Sequence, residues 1–255
     1  MTFVELTPLD WAVLALGAAV VGFAKTAVGS AGALAVVAFA AALPAKESTG
    51  ALLPLLCVGD LVAVRVYHRH ANWPVLLRML PGVLPGLILG AWFVAVADDT
   101  SMRRSIGAIL LMMTAVQLWM RRAQTQRPGE AEALSRRRPR HSVTIAMGAA
   151  AGFATMTANA AGPVTTLYLI MAGLPMLQFL GTAAWFYLVV NAAKVPFSAG
   201  LSLISLDSML MDALLIPALC FGALAGVALV RRIDQAQFER TALALASIAA
   251  AVLLV

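Results

Sequence analysis

Long apolar runs fill most of this sequence and limit what it can fold into. Each run reaches or nearly reaches the roughly 18 to 20 residues that cross a bilayer as a helix. Charged residues make up 12% of the chain, against roughly 25% in an average soluble domain. We therefore predict an all-α polytopic membrane protein with no room for a soluble catalytic domain. The runs cover approximately residues 11–43, 48–67, 74–97, 101–120, 142–173, 179–200, 208–230 and 238–255.

The net charge of +6 comes largely from arginine clusters between these runs. Such placement indicates membrane topology and contact with anionic lipid, and it does not call for nucleic acid. No Lys or Arg precedes the first run, so the basic region of a cleaved signal peptide is missing and we expect the first span to be retained. Cys57 and Cys220 lie inside apolar runs and are expected to be free, packed thiols.

The sequence contains an internal repeat. When Gly22–Gly32 is laid over Gly152–Gly162, an offset of 152 − 22 = 130, five of the eleven positions are identical. The correspondence continues with a similar offset, and it places Asp60 on Asn191. We predict a first transmembrane repeat over residues 1–120, a basic cytoplasmic linker over 121–141, and a second transmembrane repeat over 142–255.

The first apolar run of each half is too long for one membrane span. A helix over residues 11–43 would be about 50 Å long in a hydrocarbon layer of roughly 30 Å. Glycine and proline favour a break, because glycine lowers the cost of unwinding and proline removes an amide donor. We expect the breaks at Gly29–Gly32 and at Asn159–Pro163. Each half then begins with a discontinuous hairpin, which either spans fully or is re-entrant.

The distribution of Lys and Arg favours two inverted repeats. With unbroken first spans, ten of these residues would lie inside and six outside. With hairpins, thirteen lie inside and three outside, in better agreement with the positive-inside rule. We therefore predict two inverted repeats of about five helices each, some of them short or re-entrant. Inverted repeats with broken first helices are a recurring plan in secondary transporters.

One helix of the second half carries polar side chains on a single face. Tyr187, Asn191 and Lys194 follow one another at helical spacing. A lysine inside the membrane is costly, so a cavity or a partner is expected, and such ions are functional by default. Lys194 either contacts substrate, or it snorkels or pairs with a carboxylate such as Asp212 and only holds the fold.

The first half offers a different pair. Lys25 lies beside the first break, and Asp60 occupies the position that Asn191 holds in the second half. The two form a structural ion pair, or Lys25 binds substrate and Asp60 couples transport to protons.

The breaks themselves are candidate anion sites. We expect Ser30 and Asn159 to cap the helices that restart after them, whose free amides would suit an anion. Thr155 and Thr157 could donate to anion oxygens, or they tie helices together as threonine often does in membranes.

Several blocks of the second half carry a family resemblance. They are Thr155-Met156-x-x-Asn159-Ala160-Ala161-Gly162-Pro163, Tyr168-Leu169, Phe179-x-Gly181-Thr182-x-Ala184-Trp185-Phe186 and Asn191-x-x-Lys194-Val195-Pro196-Phe197. The first half contributes its glycine-rich broken segment, the Gly50 and Asp60 region, and Pro81, Pro85, Gly86 and Gly90. Over nearly its whole length the chain resembles the TauE/SafE family of sulfite-exporter-like permeases.

This resemblance implies a multi-pass protein of the bacterial inner membrane that exports sulfite or an organosulfonate. The anion would lie between the breaks at Ser30 and Asn159, with Lys194 and Lys25 supplying positive charge and the halves alternating access. The expected partners are this anion, protons and membrane lipid, with no cofactor, no metal and no nucleic acid. The oligomeric state, monomer or homodimer, stays open.

Three other functions stay open from the sequence: an anion channel, an uptake permease for a related anion, and a membrane assembly or structural protein. An enzyme is not expected, because no metalloprotease, nucleophile-elbow, phosphate-loop or dinucleotide motif occurs.

Overall fold

The computed structural model describes residues 6–26, 31–126, 140–229, 244, 247, 248 and 250–253. Within these ranges the regular structure is helical and contains no strand. The helices are α1 Pro8–Thr26, α2 Gly32–Ala42, α3 Ala45–Tyr67, α4 Trp73–Val96, α5 Asp99–Gln126, α6 His141–Ala158, α7 Gly162–Met171, α8 Met176–Gly200 and α9 Leu206–Leu229. A short 3-10 helix, His68–His70, follows α3.

Five of these helices are long and apolar enough to cross a membrane: α1, α3 with its 3-10 extension, α4, α8 and α9. Large apolar side chains such as Trp92, Leu214 and Phe221 point outward from them and are mostly exposed, as lipid-facing residues are in a protein whose solvent is hydrocarbon. The prediction of an all-α protein with several membrane-spanning helices is confirmed.

The two long apolar runs are interrupted near the positions expected from the sequence. α1 ends at Thr26 and α2 begins at Gly32, while α6 ends at Ala158 and α7 begins at Gly162. Proline suits the first turn of α7 because the amide it lacks would have no helical partner there. Residues 27–30, with Ser30 among them, lie outside the described part of the chain, as does most of the expected linker.

The expectation that Asn159 caps the following helix is wrong. The same expectation for Ser30 lies outside the described residues. Asn159 instead ends α6, with a left-handed backbone at φ 51°. Asparagine tolerates this conformation better than most residues. The residues that precede α2 and α7 are Ala31 and Ala161, which have no side chain able to cap.

Glycines bring α1 and α9 into close contact. A Cβ added at Gly22 would lie 2.0 Å from the carbonyl oxygen of Leu219, and one added at Gly222 would lie 1.9 Å from that of Ala19. Further along the chain, Gly226 of α9 packs against Phe23 of α1. Residue numbers therefore increase in the same direction along both helices, which run parallel. Small residues permit such close helix packing in membranes.

α4 and α6 pack against each other in the same way. Here the first helix of the pair, α6, comes from the second half of the chain, and α4 comes from the first half. A Cβ at Gly152 would lie 2.3 Å from the carbonyl oxygen of Val83, and one at Gly86 would lie 2.1 Å from that of Ala149. The sequence repeat places Gly22 on Gly152 and, at the slightly larger offset of 222 − 86 = 136, Gly86 on Gly222. The first helix of each half therefore packs against the fourth helix of the other half through equivalent glycines.

The central pair, α3 and α8, runs antiparallel. Gly50 near the start of α3 packs against Leu203 just beyond the end of α8, where an added Cβ would lie 2.2 Å from the Leu203 carbonyl oxygen. Gly181 near the start of α8 packs in the same way on Tyr67, at the end of α3. The midpoint of this crossing lies near Asp60 on α3 and Asn191 on α8, and the site is built around it.

Candidate functional site

Asp60 and Asn191 contact each other where α3 crosses α8. The Nδ2 atom of Asn191 donates a hydrogen bond to Oδ2 of Asp60 at 2.7 Å, and both side chains are buried. These are also the two positions that the sequence repeat makes equivalent. The contact therefore joins the two halves through matched positions that carry an acid on one side and an amide on the other.

Lys25 on α1 is the second residue of the first half that contributes to this cluster. Its Nζ atom forms an ion pair with Oδ1 of Asp60, whose side chain is fully buried, and it lies 4.7 Å from the centre of the Tyr187 ring. A cation over an aromatic ring gains further electrostatic stabilisation. The structure therefore contains the ion pair that was one of the two interpretations of Lys25 and Asp60.

Lys194 lies one helical turn beyond Asn191 and is 1% exposed. Its Nζ atom donates hydrogen bonds to Oδ1 of Asn159 and, at 3.5 Å, to Oγ1 of Thr155. Both partners are neutral. The alternative that Lys194 pairs with Asp212 is wrong, because the carboxylate oxygens of Asp212 have no hydrogen-bond partner in the described part of the chain.

Asn159 connects the second break to the centre of the molecule. Its backbone amide donates to Thr155, and its side-chain amide donates to the carbonyl oxygen of Thr49 on α3 at 3.1 Å. The left-handed backbone at this residue turns the side chain towards both α3 and α8. Thr49 was not foreseen, because it contributes a backbone carbonyl that no side-chain pattern reveals.

The remaining predicted site residues are placed differently. Thr157 is fully buried, and its hydroxyl donates to the carbonyl oxygen of Phe153 within its own helix at 2.8 Å. Tyr187 borders the start of α7, since a Cβ added at Gly162 would lie 3.9 Å from its hydroxyl. Ser30 lies outside the described residues.

The charges of this cluster do not cancel. Lys25 and Asp60 neutralise each other, whereas Lys194 has an amide and a hydroxyl as partners. Among the described residues, no acidic side chain forms an ion pair with Lys194. The charged form of a buried lysine without a counterion is unfavourable. A small anion that approached Lys194 would stabilise that charged form.

A cavity of about 200 Å³ lies away from this cluster, at the end of the molecule where α2 meets α3 and α8 meets α9. Its walls include Glu47, Ala51, Ser205, Asp207 and Ser208. The cavity is thus open to one face of the protein, at the same end of α3 as Thr49.

The comparisons with known proteins agree with this architecture. The family model described as "Sulfite exporter TauE/SafE" matches residues 14–253 and so covers both halves. Neither the curated proteins nor the solved structures contain a significant match to the chain. Since the family match spans almost every residue, from α1 to the end of the last described segment, the chain belongs to the sulfite exporter TauE/SafE family of multi-pass membrane transport proteins.

Proposed function

We propose that this protein is a secondary transporter that exports a small sulfur-containing anion, sulfite or an organosulfonate, across the bacterial inner membrane. The observation that carries the proposal is Lys194, a lysine buried in a membrane-spanning helix whose hydrogen-bond partners among the described residues are all neutral. Intramembrane ions of this kind mark substrate pathways. A bound oxyanion would supply the missing negative charge.

The neighbours of Lys194 suit an oxyanion. Thr155 offers a hydroxyl, and Asn159 offers a side-chain amide that now donates to Thr49. Charge-assisted hydrogen bonds to an oxyanion are stronger than those between neutral groups. Substrate entry would therefore exchange the bond between Lys194 and Asn159 for bonds from both residues to the anion. An inside-negative potential favours anion export by about 2.3 kcal/mol per charge per 100 mV.

We further propose that residues 1–120 and 142–255 are inverted repeats joined by a cytoplasmic linker over 121–141, and that they alternate access by moving against each other. Three features support this: the reciprocal α1–α9 and α4–α6 pairs, the parallel direction within each pair, and the antiparallel crossing of α3 and α8. An exchange of equivalent helices is what a twofold axis between inverted halves produces.

In this scheme the remaining residues support the anion site. Asn191 and Tyr187 hold the ion pair of Lys25 and Asp60 in place, and Ser30 would line the anion's path at the first break. Thr157 stabilises the end of α6. Proton coupling by Asp60 would require the ion pair with Lys25 to open during the cycle.

Counterflow of labelled sulfite in proteoliposomes tests the proposal. We expect saturable exchange by the wild-type protein, and its loss in Lys194→Ala. Lys46→Ala is the matched control, because the Nζ atom of Lys46 donates to the carbonyl oxygen of Ala95 at the molecular surface, and its loss should leave exchange intact. Unlabelled organosulfonates as competitors rank the substrates. Flux without counterflow would instead indicate a channel, and no flux of these anions through folded protein would reject the sulfur-anion assignment.

A further inference from the structure

Asp212 is a buried carboxylate that the anion site does not use. It lies on α9, is 4% exposed, and neither of its oxygens has a hydrogen-bond partner in the described part of the chain. An ionised carboxylate in such surroundings has neither solvent nor partner to stabilise it. The neutral, protonated form is the one that this environment accommodates.

Among the described residues, no ionisable side chain on the helices around α9 pairs with Asp212. Among the described helices, α1 and α3 make the main contacts with α9. On α1, Asp10 bonds to Thr7 and Lys25 pairs with Asp60. On α3, Lys46 donates to Ala95, and none of the ionisable residues of α3 hydrogen-bonds to Asp212. Those residues are Lys46, Glu47, Cys57, Asp60, Arg65 and Tyr67.

Asp212 lies far from the central cluster. Because Gly222 packs against Ala19 and α1 runs parallel to α9, residue positions on the two helices can be compared directly. Asp212 precedes Gly222 by ten residues and Lys25 follows Ala19 by six, which corresponds to about 24 Å along the helix axes at 1.5 Å per residue. Asp212 therefore lies near one end of α9, separate from Lys25 and Asp60.

That end of α9 is where the cavity opens. Ser208 and Met211 line the cavity, and Asp212 follows Ser208 by one helical turn on the same face. Water in the cavity would bring protons within one turn of the carboxylate. A proton arriving there converts the carboxylate to the neutral acid, and departure of the proton restores the charge.

We propose that Asp212 is the proton-binding residue through which this protein couples anion transport to a proton gradient. This rests on the proposed transport function. Binding and release of the proton change the charge buried on α9, which packs against α1, the helix that carries Lys25. The packing of these helices would therefore depend on whether Asp212 is protonated. One proton would cross the membrane in the direction opposite to one monoanion. Inward movement of the proton and outward movement of the anion have the same electrical effect, so the membrane potential acts on both in the same sense.

Infrared spectroscopy on the purified protein tests the protonation directly and does not depend on transport. The wild-type protein should show the carbonyl band of a protonated carboxyl group at neutral pH, and Asp212→Asn should lose that band. Asp207→Asn is the matched control, because Asp207 is an exposed aspartate on the same helix, and it should keep the band. A band that survives in folded Asp212→Asn would overturn the proposal.

Transport in proteoliposomes tests the coupling. With an imposed pH gradient, Asp212→Asn should lower the ratio of gradient-driven flux to counterflow by roughly fivefold or more, the lower end of typical coupling strengths. Asp212→Glu, which keeps a carboxyl group, should retain both the band and the driven flux, and it serves if the asparagine variant does not fold. Gradient-driven flux at the wild-type ratio in Asp212→Asn would overturn the proposal. Absence of any flux in the wild-type protein would reject the transport function instead, and the infrared result would still decide the protonation.

Discussion

The two halves of the chain use matching helices but supply different charges to the centre of the molecule. In the first half, Lys25 and Asp60 form an ion pair. In the second half, the equivalent positions carry Thr155 and Asn191. The lysine there is Lys194, whose hydrogen-bond partners among the described residues are neutral. The first half therefore contributes an ion pair to the centre, and the second half contributes a buried lysine that has no ion-pair partner among the described residues.

This difference separates structural from functional charge. A buried ion pair is stabilised by mutual attraction that offsets the loss of hydration, so it can hold helices together. A buried cation without a counterion contributes no such attraction, and its retention needs another explanation. We therefore expect Lys25 and Asp60 to contribute mainly to the stability of the protein, and Lys194 to contribute mainly to anion binding. The predictions that follow test this separation.

The largest expected effect is the difference in stability between two variants, each of which lacks one of the two buried lysines. Lys25→Met leaves Asp60 buried without its cation, and we expect the free energy of unfolding to fall by roughly 3–5 kcal/mol. Lys194→Met removes a cation that has no counterion, so the loss should be at most about 1 kcal/mol, from the donor that Asn159 loses. Thermal unfolding of the two variants in detergent measures the contrast. Equal destabilisation by both would contradict the separation.

A smaller effect is expected from the packing that the halves share. Gly22→Ala and Gly152→Ala each introduce a Cβ into the backbone of the facing helix, and both should destabilise the protein by roughly 1–3 kcal/mol. Gly32→Ala is the control, because no atom lies within 4 Å of its added Cβ. If only one of the two variants were destabilised, the halves would not be mechanically equivalent.

The smallest effect separates the backbone and side-chain roles of Asn159. Glycine adopts the left-handed backbone readily, so Asn159→Gly should fold normally while sulfite affinity falls roughly tenfold, as for one lost hydrogen bond to a charged group. Asn159→Ala should also lose about 1–2 kcal/mol of stability, because alanine is strained at this φ. Unchanged sulfite binding by Asn159→Gly would remove this residue from the site.

The sequence was informative about periodicity and breaks, and less so about partners. The Asn159–Pro163 segment identified the interruption correctly, because glycine and proline act locally. Whether Asn159 ends one helix or starts the next depends on its packing against α3, which local pattern does not contain. The partner of Lys194 was likewise undetermined: Asp212 was available by composition, but the packing of α9 against α1 holds it elsewhere.

The repeat related positions in the two halves of the sequence, but it did not predict contacts between them. Matching Asp60 to Asn191 needed only the offset between the halves. Their hydrogen bond arises because α3 and α8 cross near these residues, and the crossing is set by Gly50 and Gly181 at the helix ends. Long-range packing of this kind cannot be derived from one half alone.

Equilibrium binding of labelled sulfite to the purified protein tests the central claim most directly. We predict that the wild-type protein binds sulfite and that Lys194→Met, although folded, does not. The double variant Lys25→Met with Asp60→Asn removes two charges of opposite sign and keeps the uncompensated cation, so it should lose far less affinity. Wild-type affinity in Lys194→Met would show that the buried cation does not hold the anion and would contradict the account.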